Sequence, residues 1–402
     1  MKTMKKLIKY VIGIDIAKDK FDACLMSVDI ELNYKVKSTH QFSNNPKGFK
    51  ELQLWQKKHC IEIVPVQILM EASGVYHEKL AIWLTDQKFQ VFVVLPNKAR
   101  KFMQAIGLKS KNDKIDAQGL ALMCAQQKFD LWKPIAKFYY ELRLLTRHYQ
   151  STQEAKTMFN NQQHALKYSG YSSKTVSKQL NLTIALFDKQ IKESKKSIVE
   201  FINTNDEVKR KVYQICKIKG VDVLTVATVI AETSGFELFK NIRQLASYAG
   251  YDVIENQSGK HVGKTKISKR GNSRIRRILH MSSLNVVRFK ETTFVNLYGR
   301  VFNNTKIKMK AYVAVQKKIL VIMYTLWKKD QEYQRDYYQK MTSGNDELRV
   351  LFPVSIKGET STSLKAVVLP ISKITPEEHQ HKKSKIPCGK KTRNIKEIII
   401  EG

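Results

Sequence analysis

The sequence predicts an α/β amino-terminal domain, a long helical middle segment and a mostly α carboxy-terminal domain with a helix-hairpin-helix-like segment. Strand-like apolar runs alternate with helical stretches up to about residue 135. Glycine and proline then nearly disappear until about residue 215, after which glycine returns among basic residues. The predicted domains are therefore 1–135, 136–215 and 216–335, followed by a basic tail, 336–402, whose last thirty residues are expected to be poorly ordered without nucleic acid.

The amino-terminal domain opens with three strands at short spacing, which favours antiparallel hairpins. The later strands are separated by helices, as parallel pairing requires. The predicted order is strands 7–17, 21–29 and 31–42, helix 46–60, strand 64–70, helix 75–87, strand 89–95, and helices 98–106 and 113–127. This is the element order of the ribonuclease-H-like fold, so that fold is the one we expect.

The middle segment has the pattern of two long helices. Its apolar residues recur at steps of four, four, three and four, which puts them on one helical face: Val176, Leu180, Ile184, Phe187 and Ile191. Residues 168–170 are the expected turn. The pattern favours an antiparallel helix pair, and a dimerising coiled coil is the alternative. Beyond it we expect an apolar run at 223–231 and helices at 241–250, 275–287 and 308–329.

The charge of the chain points to a polyanionic partner. Its 402 residues include 71 Lys and Arg against 36 Asp and Glu, a formal charge of +35. Nucleic acid is the favoured partner, because binding to its phosphates releases counterions. An anionic membrane is the competing interpretation, but no apolar run approaches the roughly 20 residues of a spanning helix, and no signal peptide is evident. We expect a cytoplasmic, nucleoid-associated protein.

Cysteine gives no sign of a metal site or of disulfide bonds. The chain has 5 cysteines, an odd number, and no two are at zinc-ligand spacing. Reduced thiols in a cytosolic protein are the expected state.

Four carboxylates form the candidate catalytic set. Asp15 and Glu71 each end an apolar strand, where an unpaired buried acid would be costly. Asp113 and Asp116 lie three residues apart on one face of a predicted helix, so their charges repel unless a cation lies between them. Four such groups can hold two divalent ions about 4 Å apart for a phosphodiester displacement, with Mg²⁺ preferred and Mn²⁺ as a substitute. The alternative is structural: a turn-forming Asp15, and Asp113 as a helix N-cap.

Basic residues surround both candidate regions. The expected nucleic-acid contacts beside the acidic pair are Lys98, Arg100, Lys101, Lys109, Lys111 and Lys114. Those in the carboxy-terminal domain are Lys260, Lys264, Lys269, Arg270, Arg274, Arg276 and Arg277. A solvated charged face is the alternative for them. Four tyrosines of the middle segment, if not packed in a core, are candidates for stacking on bases: Tyr139, Tyr140, Tyr168 and Tyr171.

These residues together resemble the Asp-Glu-Asp-Asp transposases of bacterial insertion sequences, the one-ten family. Residues 11–18 (VIGIDIAK), 70–76 (MEASGVY) and 112–117 (NDKIDA) resemble the three acidic blocks of that family, which more often has Thr at the position of Asn112. Residues 248–251 (YAGY), 257–260 (QSGK) and 267–277 (ISKRGNSRIRR) resemble its carboxy-terminal stretch, although 252–254 (DVI) replace the usual proline region. Residues 218–222 (IKGVD) stand where the family has Pro-Gly-Ile-Gly.

The resemblance implies a mechanism and partners. It makes Asp15, Glu71, Asp113 and Asp116 the metal-binding set, in an amino-terminal domain similar to the RuvC-like Holliday-junction resolvases. It makes Ser258 the nucleophile that holds a covalent phosphoserine link to DNA; a plain loop residue is the alternative. It also implies a structured bridge RNA that pairs with donor and target double-stranded DNA, and dimers that pair into tetramers with composite active sites.

Three functions therefore remain open from the sequence. The favoured one is an RNA-guided, site-specific DNA recombinase of an insertion sequence. A stand-alone resolvase of branched DNA would need the carboxylates but not Ser258. A non-enzymatic nucleic-acid-binding protein would need neither.

Overall fold

The first strand of the chain, β1 (Leu7–Ile16), lies at the centre of the amino-terminal sheet in the computed structural model. The structure describes residues 6–108, 112–255, 257–259, 261–263 and 265–335. The elements that follow β1 in this domain are β2 (Lys20–Asp29), β3 (Tyr34–Ser43), α1 (Pro46–His59), β4 (Val66–Glu71), α2 (Glu78–Asp86), β5 (Gln90–Val94), α3 (Pro96–Ala105) and α4 (Asp113–Gln126). They match the predicted order, with bounds that differ by a few residues.

The strand order of this sheet is β3-β2-β1-β4-β5. The hairpins β1–β2 and β2–β3 are antiparallel, whereas β4 runs parallel to β1 and β5 runs parallel to β4. The predicted antiparallel hairpins and helical crossovers are thus confirmed, as is the α/β class of the domain. This is the arrangement on which the ribonuclease-H-like prediction rests.

Both faces of the sheet are covered by helices, which explains why β1 and β2 are almost continuously apolar. One face packs against α1 and α2 and includes Ile12, Ile14, Phe21, Ile68 and Met70. The other packs against α3 and α4 and includes Val11, Cys24, Leu69, Ala117 and Ala121. Because side chains alternate along a strand, Asp15 follows Val11 and Gly13 on the α4 face.

Helix α4 touches β1 backbone to backbone at Gly13. A Cβ atom on Gly13 would lie 2.1 Å from the Ala121 nitrogen and 2.2 Å from the Ala117 oxygen, both of which are main-chain atoms that cannot turn away. Any other residue would therefore push α4 off the sheet. This contact fixes the distance between β1 and the first turn of α4.

The rest of the described chain is mostly helical, as predicted. A long helical hairpin comes first, followed by short helices and small two-residue strands. The elements are α5 (Lys137–Tyr168), α6 (Lys174–Asn203), α7 (Asp206–Cys216), α8 (Val223–Thr233), α9 (Ile242–Ala249), β6 (Val253–Ile254), β7 (Gln257–Ser258), β8 (His261–Val262), β9 (Lys266–Ile267), α10 (Ser273–Arg288), α11 (Thr292–Thr305) and α12 (Lys308–Lys329).

Helices α5 and α6 form the antiparallel pair that the sequence favours, joined by a turn at 169–173. The base of this hairpin packs against the carboxy-terminal helices. Leu142 and Tyr149 of α5 and Ile198 and Ile202 of α6 share one hydrophobic core with α7, α8, α10 and α12. The boundary near residue 215 between the middle and carboxy-terminal domains therefore stays a prediction, as do the coiled-coil and helix-hairpin-helix-like interpretations.

An ion pair between the partly exposed Arg147 and the buried Glu232 connects the hairpin base to the carboxy-terminal helices. The Glu232 side chain, which is 0% exposed, receives hydrogen bonds from Arg147 Nε at 2.7 Å and Arg147 Nη2 at 3.0 Å. Asn272 Nδ2 donates to the same carboxylate at 2.7 Å, and Tyr248 donates its hydroxyl to the Glu232 carbonyl oxygen at 3.0 Å. Burial opposes ionisation of Glu232, but these bonds and the charges of Arg147 and Arg143 outweigh it and hold its pKa below 4.5.

Some predictions fall outside the described residues. They concern Lys109, Lys111, Lys260, Lys264 and the tail from residue 336. The described cysteines are all free thiols: Cys24, Cys60, Cys124 and Cys216. In the described part of the chain, no helix combines the length and apolar character needed to cross a bilayer.

Gly13→Ala tests the contact between β1 and α4. We expect a loss of about 3 kcal/mol in the free energy of unfolding, because the added methyl group overlaps backbone atoms. Urea denaturation followed by circular dichroism measures it. Gly299→Ala in α11 is the matched control: a Cβ there meets nothing within 4 Å, so we expect a gain of about 0.5–1 kcal/mol. Equal stabilities of the parent and Gly13→Ala would contradict the close contact.

Candidate active site

Two of the predicted carboxylates lie at the same end of adjacent parallel strands. Ile14 of β1 pairs with Met70 of β4, and the next residues along these strands are Asp15 and Glu71. Paired residues of parallel strands point to the same side of a sheet, which for Asp15 is the face that carries α4. The structure thus brings Asp15 and Glu71 together, as the sequence predicts.

The other two predicted carboxylates lie in the first turn of α4. Asp113 precedes Ala117 by one helical turn, and Ala117 contacts β1 at Gly13, so this end of α4 lies toward Asp15. The N-cap is Asn112, whose side-chain oxygen accepts a hydrogen bond from the Ile115 nitrogen at 2.8 Å. The alternative that Asp113 caps the helix is therefore wrong.

Asp15 is the electrostatic centre of the cluster. Burial, together with the negative charges of Asp116, Asp113, Glu71 and Asp22, raises the pKa of Asp15 to about 6. Each of these groups favours the protonated form of Asp15 by repulsion, and a nearby cation would reverse that effect. The other three acids predicted from the sequence therefore lie close enough to Asp15 to act on it electrostatically.

The structure adds Asp22, a carboxylate that the sequence analysis missed. Asp22 is the cross-strand partner of Asp15 on β2 and is only 4% exposed. Gln41 Nε2 donates to its Oδ2 at 2.8 Å. A lone acid in the apolar run 21–26 was the available signal, the same one that identifies Asp15. On the rim of the cluster, Lys20 Nζ lies 3.7 Å from Asp113 Oδ2, where both side chains are half-exposed.

The donor set suits a hard divalent cation, since every acid of the cluster offers carboxylate oxygens. In the described residues, however, no three His, Cys, Asp or Glu side chains are arranged to hold one ion directly. Coordination of one ion by three of these acids therefore requires their side chains to rearrange. The repulsion on Asp15 is the observation that fits a cation at this site.

The cations predicted beside the acidic pair are largely available to solvent. Arg100 and Lys101 of α3 and Lys114 of α4 are exposed. Lys98 is also exposed, with its ammonium group 4.7 Å from the centroid of the Phe129 ring. These side chains lie on the two helices that cover the Asp15 face of the sheet.

Ser258 lies on a separate small hairpin. It is exposed on β7, opposite His261 of β8, and the next residue, Gly259, has φ of 55°. The hydroxyl is therefore accessible to a large substrate. The segment that carries it is held at both ends, because β6 before it pairs with β9 after it, and Asn272 then caps α10.

The predicted carboxy-terminal cations divide into two groups. Lys269 and Arg270 are exposed on the segment before α10. Arg276 instead donates to the Ala249 carbonyl at 2.9 Å, at the end of α9, and Arg277 pairs with Glu154 of α5. Arg274 is partly buried, and its Nε has no hydrogen-bond partner among the described residues. Arg276 thus has a structural role in this fold, and its role as a nucleic-acid contact stays a prediction.

The predicted tyrosines also divide. Tyr139 packs against Gly235. The Tyr140 hydroxyl donates a hydrogen bond to the Glu78 carboxylate of α2 at 2.9 Å. Tyr139 therefore packs against the core, whereas Tyr140 links α5 to α2 by a hydrogen bond. Tyr168 and Tyr171, at the far end of the hairpin, are exposed.

Comparison with known proteins places the chain among transposases. Residues 12–167 match the DEDD-type IS110 family, described as Transposase, and residues 212–299 match the Transposase IS116/IS110/IS902 family. The pilin gene-inverting proteins of Moraxella bovis and Moraxella lacunata are each 27% identical over 332 residues, which is 82% of this chain and 99% of the relative.

Two solved structures show similarity that is too weak to indicate a shared fold. Thermus thermophilus RuvC is 12% identical, with a TM-score of 0.24 over 31% of this chain and 99% of that chain. A Ppx/GppA family protein of Aquifex aeolicus is 11% identical, with a TM-score of 0.20 over 81% of this chain and 92% of that chain.

The sequence matches carry the identification. Together the two family matches span more than half of the chain, and they lie in the same order as the acidic blocks and the carboxy-terminal stretch. The chain belongs to the IS116/IS110/IS902 family of transposases and is a DNA-recombining enzyme.

Proposed function

We propose that this transposase cuts and rejoins DNA strands at a divalent-metal site formed by Asp15, Glu71, Asp113 and Asp116. The observation that carries the proposal is the raised pKa of Asp15, which is caused first by burial and then by the charges of the other three acids and of Asp22. A divalent ion bound among these acids would relieve their mutual repulsion. The exposed cations beside them would at the same time bind the phosphate backbone.

Magnesium is the proposed ion, with manganese as a substitute, because the set offers only oxygen donors. When bound, it would neutralise charge on the reacting phosphodiester and polarise it for displacement. The protein's own groups do the rest. Gln41 and Asp22 support β1 beside Asp15, and Arg100, Lys101 and Lys114 hold the DNA backbone at the edge of the cluster.

Ser258 is the proposed nucleophile. Its Oγ attacks the phosphorus, a serine–phosphate bond forms, and the bond from phosphorus to the leaving strand breaks. The serine proton passes to a base, and the leaving oxygen takes up a proton. The reverse reaction with a second strand end rejoins DNA without loss of the phosphodiester. Exposure of Ser258 on the β7–β8 hairpin supports this role, because a strand can reach it.

The proposal extends to the assembly and its guide. Donor and target double-stranded DNA are the substrates, a structured bridge RNA pairs with both, and homodimers associate into a tetramer. In a composite site, Ser258 of one protomer would act together with the metal-binding carboxylates of another protomer. The charge of +35 supports simultaneous binding of several nucleic-acid strands.

Asp15→Asn tests the metal site through stability as well as activity. A carboxyl group whose pKa is raised to about 6 contributes stability that is complete below pH 3.8 and is lost as the pH rises through about 6. At pH 8 and without metal, we expect the variant to be more stable than the parent by about 1–2 kcal/mol, a value reduced for solvent screening of this partly exposed group. Denaturation in the presence of a chelator measures this difference.

The same variant should lose Mg²⁺-dependent strand cleavage by at least about 100-fold, and Mg²⁺ should raise the Tm of the parent but not of the variant. Asp86→Asn, an exposed acid at the end of α2 on the opposite face of the sheet, is the matched control and should behave as the parent does. Cleavage by Asp15→Asn at the parent rate would refute the metal site.

Ser258→Ala tests the nucleophile. We expect unchanged stability, because the side chain is exposed, and loss of the covalent protein–DNA adduct that denaturing gel electrophoresis detects. Thr265→Ala removes an exposed hydroxyl from the same segment and should leave the adduct intact. If Ser258→Ala still cleaves branched DNA without forming an adduct, the protein is a resolvase that does not use this serine.

Sequencing of the RNA that co-purifies with the protein tests the guide. We expect one structured species encoded next to the transposase gene, because base pairing rather than side chains would then select the DNA sites. Random cellular RNA would count against guidance.

A further inference from the structure

We propose that the tip of the α5–α6 hairpin binds unpaired RNA nucleotides. The hairpin tip is defined here as residues 160–182, which comprise the end of α5, the turn and the start of α6. This inference rests on the proposed function, in which RNA is a partner, and assigns part of that RNA a place on the protein. It stands on charge, on exposed aromatic rings and on the shape of the groove between the two helix ends.

The charge of this region has one sign. From residue 155 to residue 187 the sequence contains no Asp or Glu. Within the tip, Lys167, Lys174 and Lys178 are all exposed and all line one groove. Surface helices normally mix both signs of charge, which favours solubility. An all-positive end therefore indicates a phosphate backbone as the ligand.

Two aromatic rings stand at the same end. Tyr171 is 95% exposed and Tyr168 is 72% exposed, although burying such rings is normally favourable. Tyr168 is held against the His164 ring, with their centroids 4.6 Å apart. Exposed rings beside cations form a stacking platform for bases. Stacking requires unpaired bases, which RNA loops offer and duplex DNA does not.

The groove between the helix ends supplies polar groups for recognition. It has a volume of about 940 Å³, within the range of sites that bind small ligands. Gln163 and Asn181 form a hydrogen bond across it, and Ser172, Ser173 and Ser177 add hydroxyl groups. Amides and hydroxyls bond base edges and the 2′-hydroxyl that distinguishes RNA from DNA.

The tip lies far from the core of the protein. Tyr140, near the start of α5, bonds to the amino-terminal domain, and Tyr168 lies about 40 Å farther along the helix at 1.5 Å per residue. The buried residues that anchor the hairpin in the carboxy-terminal core are at its base: Leu142, Tyr149, Ile198 and Ile202. Substitutions at the tip should therefore leave the fold intact.

The test uses the full-length protein and a fluorescent, short, single-stranded RNA of mixed sequence, with binding followed by anisotropy. We expect Tyr168→Ala/Tyr171→Ala to weaken binding at least about tenfold. Lys167→Ala/Lys174→Ala should weaken it and flatten its dependence on salt, because fewer counterions are released. Lys192→Ala/Lys195→Ala, on the lower part of α6, is the control with the same charge change and should bind as the parent does.

Three results would overturn the proposal: parent-like affinity of the tyrosine variant, equal competition by unlabelled duplex DNA or single-stranded DNA, or a changed oligomeric state in sedimentation without a change in RNA affinity. The last would make the tip a contact between protein chains. Asp15→Asn separates the two proposals, since it should bind this RNA normally whether or not it cleaves DNA. Loss of RNA binding in the tip variants, with an Mg²⁺-dependent rise in Tm equal to that of the parent, supports the tip site.

Discussion

The backbone contact between β1 and α4 determines where the acidic residues lie. Without a side chain at Gly13, the helix rests directly on the central strand, and its first turn reaches the end of that strand. Asp15 comes from the strand and Asp113 and Asp116 from the helix, so the separation of these charges depends on one missing methyl group. The parallel pairing of β4 with β1 then places Glu71, at the end of β4, next to Asp15.

That convergence has a cost in the metal-free protein. Ionised Asp15 is opposed by burial and by four other acids, and the pKa of about 6 expresses this opposition. The fold tolerates it because two well-packed faces of the sheet supply apolar burial on either side of β1. Part of the charge is already countered: Gln41 donates to Asp22, and Lys20 approaches Asp113.

Local patterns in the sequence predicted much of this arrangement. Contacts between residues far apart in the sequence could not be predicted from it. Asp15 and Glu71 could be found because each ends an apolar strand, which a short window of sequence reveals. Helix α11 was not predicted: it is rich in Thr, Asn and Val, has no side-chain cap, and forms beside α12 in the folded protein. The partnership of Glu232 with Arg147 joins residues 85 positions apart, and no periodicity encodes it. The bond from Arg276 to Ala249 could not be predicted either, because it depends on how α9 and α10 pack, and the role of Arg276 as a nucleic-acid contact stays a prediction.

The Arg147–Glu232 pair limits how segments of this protein can be exchanged with those of relatives. Glu232 belongs to α8 and also holds Asn272, which begins α10, whereas Arg147 belongs to the base of the hairpin. A chimaera joined near residue 215 would inherit one partner from each parent. If the graft keeps Glu232 but lacks Arg147, it leaves a buried carboxylate without its counter-ion, a defect that typically costs about 3–5 kcal/mol. Recombinase engineering by domain grafting should therefore move α5 together with the carboxy-terminal helices.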